Sequence, residues 1–163
     1  MRLLSCVSIV VALALSPNVT VSAAPKVQLA LTAVDAGAFT FLSQTSATLA
    51  GDGFEKQGFG LNIKVGSTGQ FDILGPATDG CANGLIGRLV GSFTEPDGDK
   101  ISYVIDNQLC PTGQTMVFSA SGTYKITGGT GKYANVKGSG LFEGLADFVE
   151  ARYKCLLFGS ISY

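Results

Sequence analysis

The residues able to do chemistry are few, and they lack the usual base. No histidine occurs anywhere in the chain, which removes Ser-His-Asp and Cys-His catalysis and deprives a catalytic zinc of its commonest ligand. What remains are ionisable side chains set in alternating apolar segments. Glu143 falls between Leu141 and Leu145, an arrangement that would point it into an apolar environment, where a carboxyl group holds its proton longer and can serve as a general acid or base. It is the best single catalytic candidate. Arg88 shares a face with Ile86 and Val90, Asp106 ends its segment, and Tyr103, Tyr124 and Arg152 are placed to reach a mouth of the fold. For each of these the plainer alternative is a solvent-facing or ion-paired group.

Metal and nucleotide chemistry fare worse. Asp97 and Asp99 flank Gly98 and offer carboxylates to a cation, but the spacing lacks the ligand count of a calcium loop and reads as a solvated turn. The run Gly129-Thr130-Gly131-Lys132-Tyr133-Ala134 fits the glycine spacing of a dinucleotide-binding turn, yet Gly138 and Gly140 forbid the helix that must follow. A phosphate loop would need glycine at 126 and a hydroxyl residue at 133, where the chain has Ile126 and Tyr133. Neither a metal nor a cofactor is expected.

The elements that must position these groups are strands. Apolar residues recur with period two at Val27, Leu29, Leu31 and Ala33, at Phe59, Leu61, Ile63 and Val65, and at Ile101, Tyr103 and Ile105. Over 115–126 the even residues Met116, Phe118, Ala120, Tyr124 and Ile126 are apolar, while Thr115, Ser119, Ser121, Thr123 and Lys125 are polar, so one face is buried and the other wet. Turn chemistry separates the runs at Gly51-Asp52-Gly53, Gly66-Ser67-Thr68-Gly69, Pro96-Asp97-Gly98, Pro111-Thr112-Gly113 and Gly128-Gly129-Thr130-Gly131. Residues 75–84 are the longest stretch without strand character and read as a loop at a barrel mouth. Gly138, Gly140 and Gly144 share a face with Phe142, Ala146 and Phe148, and Gly87 and Gly91 share one with Leu85, Leu89 and Phe93. Small beside large on one face is what a tightly curved interior needs. The fold class is therefore all-β, a small closed antiparallel meander barrel of about eight strands. Alternation alone does not say which face is the lumen.

The address is written at the start. Arg2 precedes an apolar run from Leu3 to Leu15, then Pro17 and small residues to Ala24, the layout of a cleavable signal peptide. Val21-Ser22-Ala23 is the better cleavage site, because a cut after Ala24 leaves Pro25 next. Residues 1–23 are thus the expected signal peptide and 24–163 one barrel domain, with 24–26 a short mobile start. The apolar run has 13 residues, too few for a membrane span, which takes about 20. The expected destination is secreted or periplasmic, with no membrane insertion. Without Arg2, 10 basic groups face 12 acidic ones and no cluster of either sign forms, so nucleic-acid binding has no electrostatic footprint. Cys6 goes with the leader, leaving Cys81, Cys110 and Cys155, an odd number for an oxidising compartment. Segments 85–94 and 100–106 flank Glu95-Pro96-Asp97-Gly98-Asp99, so an antiparallel hairpin brings together the residues outside its open end. Cys81 and Cys110 are among them and form the expected disulfide, with Cys155 buried as a small apolar residue.

The stretch Gly122-Thr123-Tyr124-Lys125-Ile126-Thr127-Gly128-Gly129-Thr130-Gly131-Lys132-Tyr133, continuing to Gly138-Ser139-Gly140, resembles the strand–turn–strand signature of the allene oxide cyclase-like barrel superfamily, which includes the dirigent proteins. The Asp97-Gly98-Asp99 turn and the closing Gly159-Ser160-Ile161-Ser162 resemble its uncharacterised bacterial secreted members. The likeness covers residues 85–163. It implies a barrel, a cavity that can steer a reactive intermediate, and a homo-oligomer, a trimer by resemblance. The plant enzymes' carboxylate, cysteine and arginine constellations find no matching positions here. Physically, Gly128, Gly129, Thr130 and Gly131 make a tight turn, and Tyr133 folds back as a plug over the barrel end.

Three function readings follow. A small apolar ligand inside the barrel predicts a vacant lumen lined by Phe118, Tyr124 and Phe142, with Arg88 and Tyr103 as further candidate contacts. A non-catalytic structural or envelope protein acting through its surface predicts a solid barrel with a large exposed apolar patch. A cyclase or isomerase needs a buried acid beside a pocket, for which Glu143 is the candidate. No catalytic constellation is legible, so the reading leans away from an enzyme.

Overall fold

The computed structural model describes residues 28–57 and 63–162. The signal peptide, the 24–26 start, Val27, Phe59 and Leu61 lie outside the described residues. Eight strands follow one another: β1 (Gln28–Phe41), β2 (Ser46–Gln57), β3 (Ile63–Pro76), β4 (Leu85–Thr94), β5 (Lys100–Pro111), β6 (Val117–Gly129), β7 (Lys137–Asp147) and β8 (Arg152–Ser162). Each pairs antiparallel with the next, and β8 pairs back onto β1, from Gln28 opposite Ser162 to Ala38 opposite Arg152. The sheet is a closed meander barrel and has no edge strand to protect.

Period two decides what lies inside. Ile101, Tyr103, Ile105 and Leu109 of β5 and Phe118, Ala120, Tyr124 and Ile126 of β6 are all buried. Each large side chain so buried contributes roughly 1.5–3 kcal/mol. The glycine-bearing face of β7 is the inner one, since Phe142 and Ala146 are buried. Tyr124 lies opposite Gly140, which lies opposite Gly159. A Cβ at Gly140 would strike the Phe158 carbonyl oxygen and sit 2.7 Å from Tyr124 Cε1. The small residues let the tyrosine ring lie against the wall.

Several expected boundaries move. Gly51-Asp52-Gly53 and Gly66-Ser67-Thr68-Gly69 are not turns but the middles of β2 and β3. The glycines serve close approach there, not reversal: a Cβ at Gly51 would lie 2.5 Å from the Tyr153 hydroxyl. Met116 is not an inward strand residue. It sits in the β5–β6 connection at φ 57 and is exposed. Asp106 does not end its strand, because β5 runs on to Pro111.

The two ends are closed differently. At one, a single 3-10 turn, Gly131–Tyr133, folds over the β4–β5 hairpin. Tyr133 is buried, and its hydroxyl donates to the buried Glu95 carboxylate, which also takes the Lys132 ammonium. Lys132 reaches Asp97 as well, at 2.9 Å, and its backbone N–H donates to Asp99. The Asp97-Gly98-Asp99 turn is therefore tied down by a cation from the chain itself. Lys132 holds the Asp97 carboxyl below its ordinary value, and Glu95 then Asp97 hold the ammonium above its own. At the other end Phe148 packs between Phe39 and Phe118, with ring centroids 5.5 and 5.2 Å away. There the Cys81–Cys110 disulfide ties the β3–β4 loop to the end of β5.

That bridge spans a sequence separation of 29, and loop-closure entropy for such a length is about 3.5 kcal/mol. The paired variant Cys81→Ser/Cys110→Ser is expected to lose about that much, read as a lower urea midpoint with a larger slope, since the unfolded chain without the crosslink exposes more surface. An unchanged midpoint would mean that the loop and β5 hold together without it.

Candidate functional site

One polar cluster lies inside the barrel. Asp35 occupies an inward position of β1, in phase with Leu31, Ala33 and Phe39, and is 3% exposed. Its carboxyl meets the Ser67 hydroxyl at 2.8 Å and the Tyr153 hydroxyl at 3.1 Å, and those two hydroxyls meet each other at 3.0 Å. Ser67 and Tyr153 are buried too, brought in by β3 and β8. No lysine or arginine pairs with Asp35 among the described residues.

Counting hydrogens points to a neutral Asp35. Three oxygen–oxygen contacts need three hydrogens, and two hydroxyls supply two. If Asp35 is ionised, both go to the carboxylate, and the Ser67–Tyr153 contact is left with none. If Asp35 is a neutral acid, its own O–H completes a ring in which each hydroxyl donates once and accepts once, while the carboxyl donates through one oxygen and accepts through the other. Burial pushes the same way, raising the Asp35 carboxyl above its ordinary value against the lowering pull of Ser67, Tyr153 and the Ala36 N–H. Desolvation wins because it acts on the charge itself.

The neighbours share this environment. Cys155 lies opposite Asp35 in the β1–β8 ladder, and burial pushes its thiol up to about 12. It stays a thiol and is no nucleophile. Burial raises Tyr103 and Tyr153 well above the usual phenol value, and Tyr124 to about 12. The cluster can lend or hold a proton; it cannot attack.

Little space adjoins it. Beneath the Tyr133 plug is a cavity of ≈ 20 Å³ lined by Glu95, Tyr103, Tyr124 and apolar residues. Toward the aromatic end is one of ≈ 40 Å³ lined by Asn107, Phe142, Tyr153 and Cys155 among others. Each is the size of one or a few waters, whereas ligand pockets run to about 300–1,000 Å³. Among the described residues the Tyr124 hydroxyl and the Asn107 side-chain oxygen have no hydrogen-bond partner, so each cavity is lined by one unpartnered buried polar atom.

The residues singled out from the sequence divide between inside and outside. Tyr103 and Tyr124 meet at the first cavity, Phe142 lines the second, and Phe118 belongs to the aromatic end. The vacant lumen expected from them is corrected: their own rings fill it. Arg88 is outside, paired with Asp106 at 2.7 Å with both side chains about half exposed, a pair worth little. Glu143 is corrected as well, being exposed on the outer face of β7. Its flanking Leu141 and Leu145 are 51% and 52% exposed, so the apolar environment is an outer one. Gly128, Gly129, Thr130, Gly131 and Tyr133 form the end closure described above. Sequence reasoning missed Asp35 and Ser67. Asp35 left a readable signal, a charge in phase with the apolar run that starts at Leu29; Ser67 was hidden in a false turn.

The outer wall carries a second feature. Across the β1–β8–β7 ladder, Val34 lies beside Leu156 and Glu143, Thr32 beside Phe158 and Leu141, and Ala36 beside Lys154 and Leu145. An apolar strip with one acid and one base thus crosses three strands. Phe41, Leu42, Leu74, Met116 and Val149 are also exposed, around the end that Phe148 closes.

The neutral ring fixes a pH response. A carboxyl raised in the folded state contributes stability that is fully present below its unfolded value, 3.8, and is lost as pH rises through the folded value. Asp35→Asn keeps the ring, since the amide donates to Tyr153 and accepts from Ser67. The variant is expected to match the native chain in urea unfolding at pH near 3.5 and to exceed it as pH rises above 3.8, the gap levelling off once the raised Asp35 carboxyl ionises in the folded chain. A constant difference across that range would contradict a neutral Asp35.

The sequence matches no described protein family and no curated protein. Among solved structures, the pterocarpan synthase dirigent protein PsPTS1 is similar at a TM-score of 0.48 and 14% identity, over 85% of this chain and 96% of that one. The pterocarpan synthase dirigent protein GePTS1 is similar at 0.46 and 12%, over 85% and 92%. These likenesses concern architecture alone, and nothing about this chain's interior chemistry follows from them.

Proposed function

We propose that this chain is an exported, non-catalytic barrel that acts through its outer surface, by associating with itself or with other exported proteins. The observation that carries the reading is the contrast between a filled interior, with cavities of ≈ 20 and ≈ 40 Å³, and an outer wall where Val34, Leu141 and Leu145 stand exposed beside Leu156 and Phe158. Exposed apolar residues gathered in one strip mark contact surfaces. Export is supported by the leader-like start and by the Cys81–Cys110 bridge, which persists in oxidising compartments. Among the described residues, no helix is long and apolar enough to cross a membrane.

Sedimentation of the mature chain at high concentration is expected to give more than one chain's mass, and Leu141→Ser with Leu145→Ser to lower it at unchanged Tm. A single-chain mass throughout, with no partner recovered by crosslinking in the native host, would sink the reading.

A second reading, a small apolar ligand held inside and acted on by an acid, is favoured by one observation. Asp35 with Ser67 and Tyr153, the Tyr124 hydroxyl and the Asn107 oxygen are polar groups set among the apolar side chains of the lumen. It requires the aromatic side chains to yield a ligand-sized space. On this reading 1-N-phenylnaphthylamine gains fluorescence with the native barrel and loses that gain in Ala120→Leu. No gain up to the probe's solubility retires it.

A further inference from the structure

Glu143 and Lys154 are the two charged residues of the apolar strip, and neither has an ion-pair partner in its own chain among the described residues. Their positions relative to the leucines are fixed by register. Glu143 lies opposite Leu156, and Leu145 lies opposite Lys154. These four residues form a quadrilateral, one diagonal joining the two charges and the other joining the two leucines. Directly opposed residues are about 5 Å apart and same-face neighbours along a strand about 7 Å, so the diagonals cross near their midpoints at a steep angle.

That arrangement has a consequence for a second copy. A twofold axis laid along the Leu145–Leu156 diagonal sets each leucine against its own counterpart. The same rotation brings Glu143 of one copy to Lys154 of the other, and Lys154 to Glu143, within the reach of both long side chains. We propose that the outer face of β7 and β8 is a twofold self-docking surface, with Leu145 and Leu156 at the axis and two reciprocal Glu143–Lys154 ion pairs beside it. The proposal rests on the surface reading and names its partner as a second copy of this chain. Strands of the two copies would cross at roughly 70°, nearer the orthogonal than the aligned class of sheet packing. The charges select this placing: twofold axes along or across the strands set an acid or a base against leucine, one along the Glu143–Lys154 diagonal sets each charge against its like, and a charge desolvated without an opposite partner is costly.

Single reversals test the pairing. Glu143→Lys puts lysine against lysine twice, and Lys154→Glu puts glutamate against glutamate twice. Each alone is expected to raise the dimer dissociation constant at least about tenfold, read by sedimentation velocity, with circular dichroism and Tm unchanged because both positions are exposed. The double reversal Glu143→Lys/Lys154→Glu restores the dimer. Mixing the two single variants is the sharpest measurement: every Glu143→Lys chain then finds a Lys154→Glu chain with both pairs favourable, and a heterodimer forms from two monomeric proteins. A three-membered ring cannot do this, since one of its contacts must join two like variants. A native trimer, or association indifferent to the reversals, overturns this inference and leaves the surface reading standing. A native chain that stays single overturns the inference too, and the crosslinking result then decides the broader reading.

Discussion

The return of β8 onto β1 is the constraint from which the rest follows. Once eight strands close, strand tilt and spacing fix an interior just wide enough for side chains to fill. Each inward position must then suit the one across the lumen. Tyr124 fits because Gly140 and Gly159 lie under its ring, and Phe148 closes an end by lodging against Phe39 and Phe118. The inner face is therefore spent on packing, which leaves cavities of ≈ 20 and ≈ 40 Å³. Freedom to vary without loss of the fold remains outside, where the chain has put leucine, valine and phenylalanine beside one acid and one base.

How much of this was legible depended on which physical rule each residue obeyed. Period two marked Ile101, Tyr103, Ile105, Phe118, Ala120, Tyr124 and Ile126 as one face, and these are the barrel's interior, because burial is the strongest demand on a strand. Hairpin geometry placed Cys81 beside Cys110, since it depends only on where two strands meet. Glycine was ambiguous. At Gly98 it supports a turn, at φ 92, whereas at Gly51 it admits the backbone of the neighbouring strand at Ala36 and a tyrosine hydroxyl; the same letter serves both uses. Glu143 does lie among the apolar neighbours its flanking leucines imply, but alternation does not tell inside from outside, and that apolar setting is the outer face. The glycines of β7, all out of phase with Glu143, already pointed to the opposite face as the inner one.

Asp35 was legible only in part, and the reason is instructive about buried acids. Its phase could be read, but its two partners come from β3 and β8, far away in sequence, and one sat in a segment mistaken for a turn. What makes the burial tolerable is also non-local. A lone carboxylate in such a place would cost several kcal/mol, while a neutral acid that donates through one oxygen and accepts through the other leaves no polar atom of the ring unpaired. The ring is thus compatible with a purely structural role: it ties β1, β3 and β8 together at the middle of the barrel and disfavours any register that separates them. Its chemistry is limited for the same reason, since a proton shared round a closed ring is not readily given up.

The outer strip obeys the opposite logic. Glu143 and Lys154 are solvated in the single chain and affect its stability little. Their influence begins only when the face is covered, because water is then withdrawn from both and each must find an opposite charge. An unbroken leucine face would stick in many orientations; two charges set diagonally among leucines penalise nearly all of them. Inside the barrel, polarity is kept by making it neutral and self-contained, whereas outside it is left charged and incomplete, and an incomplete pattern on a convex wall is information about what the wall is to meet.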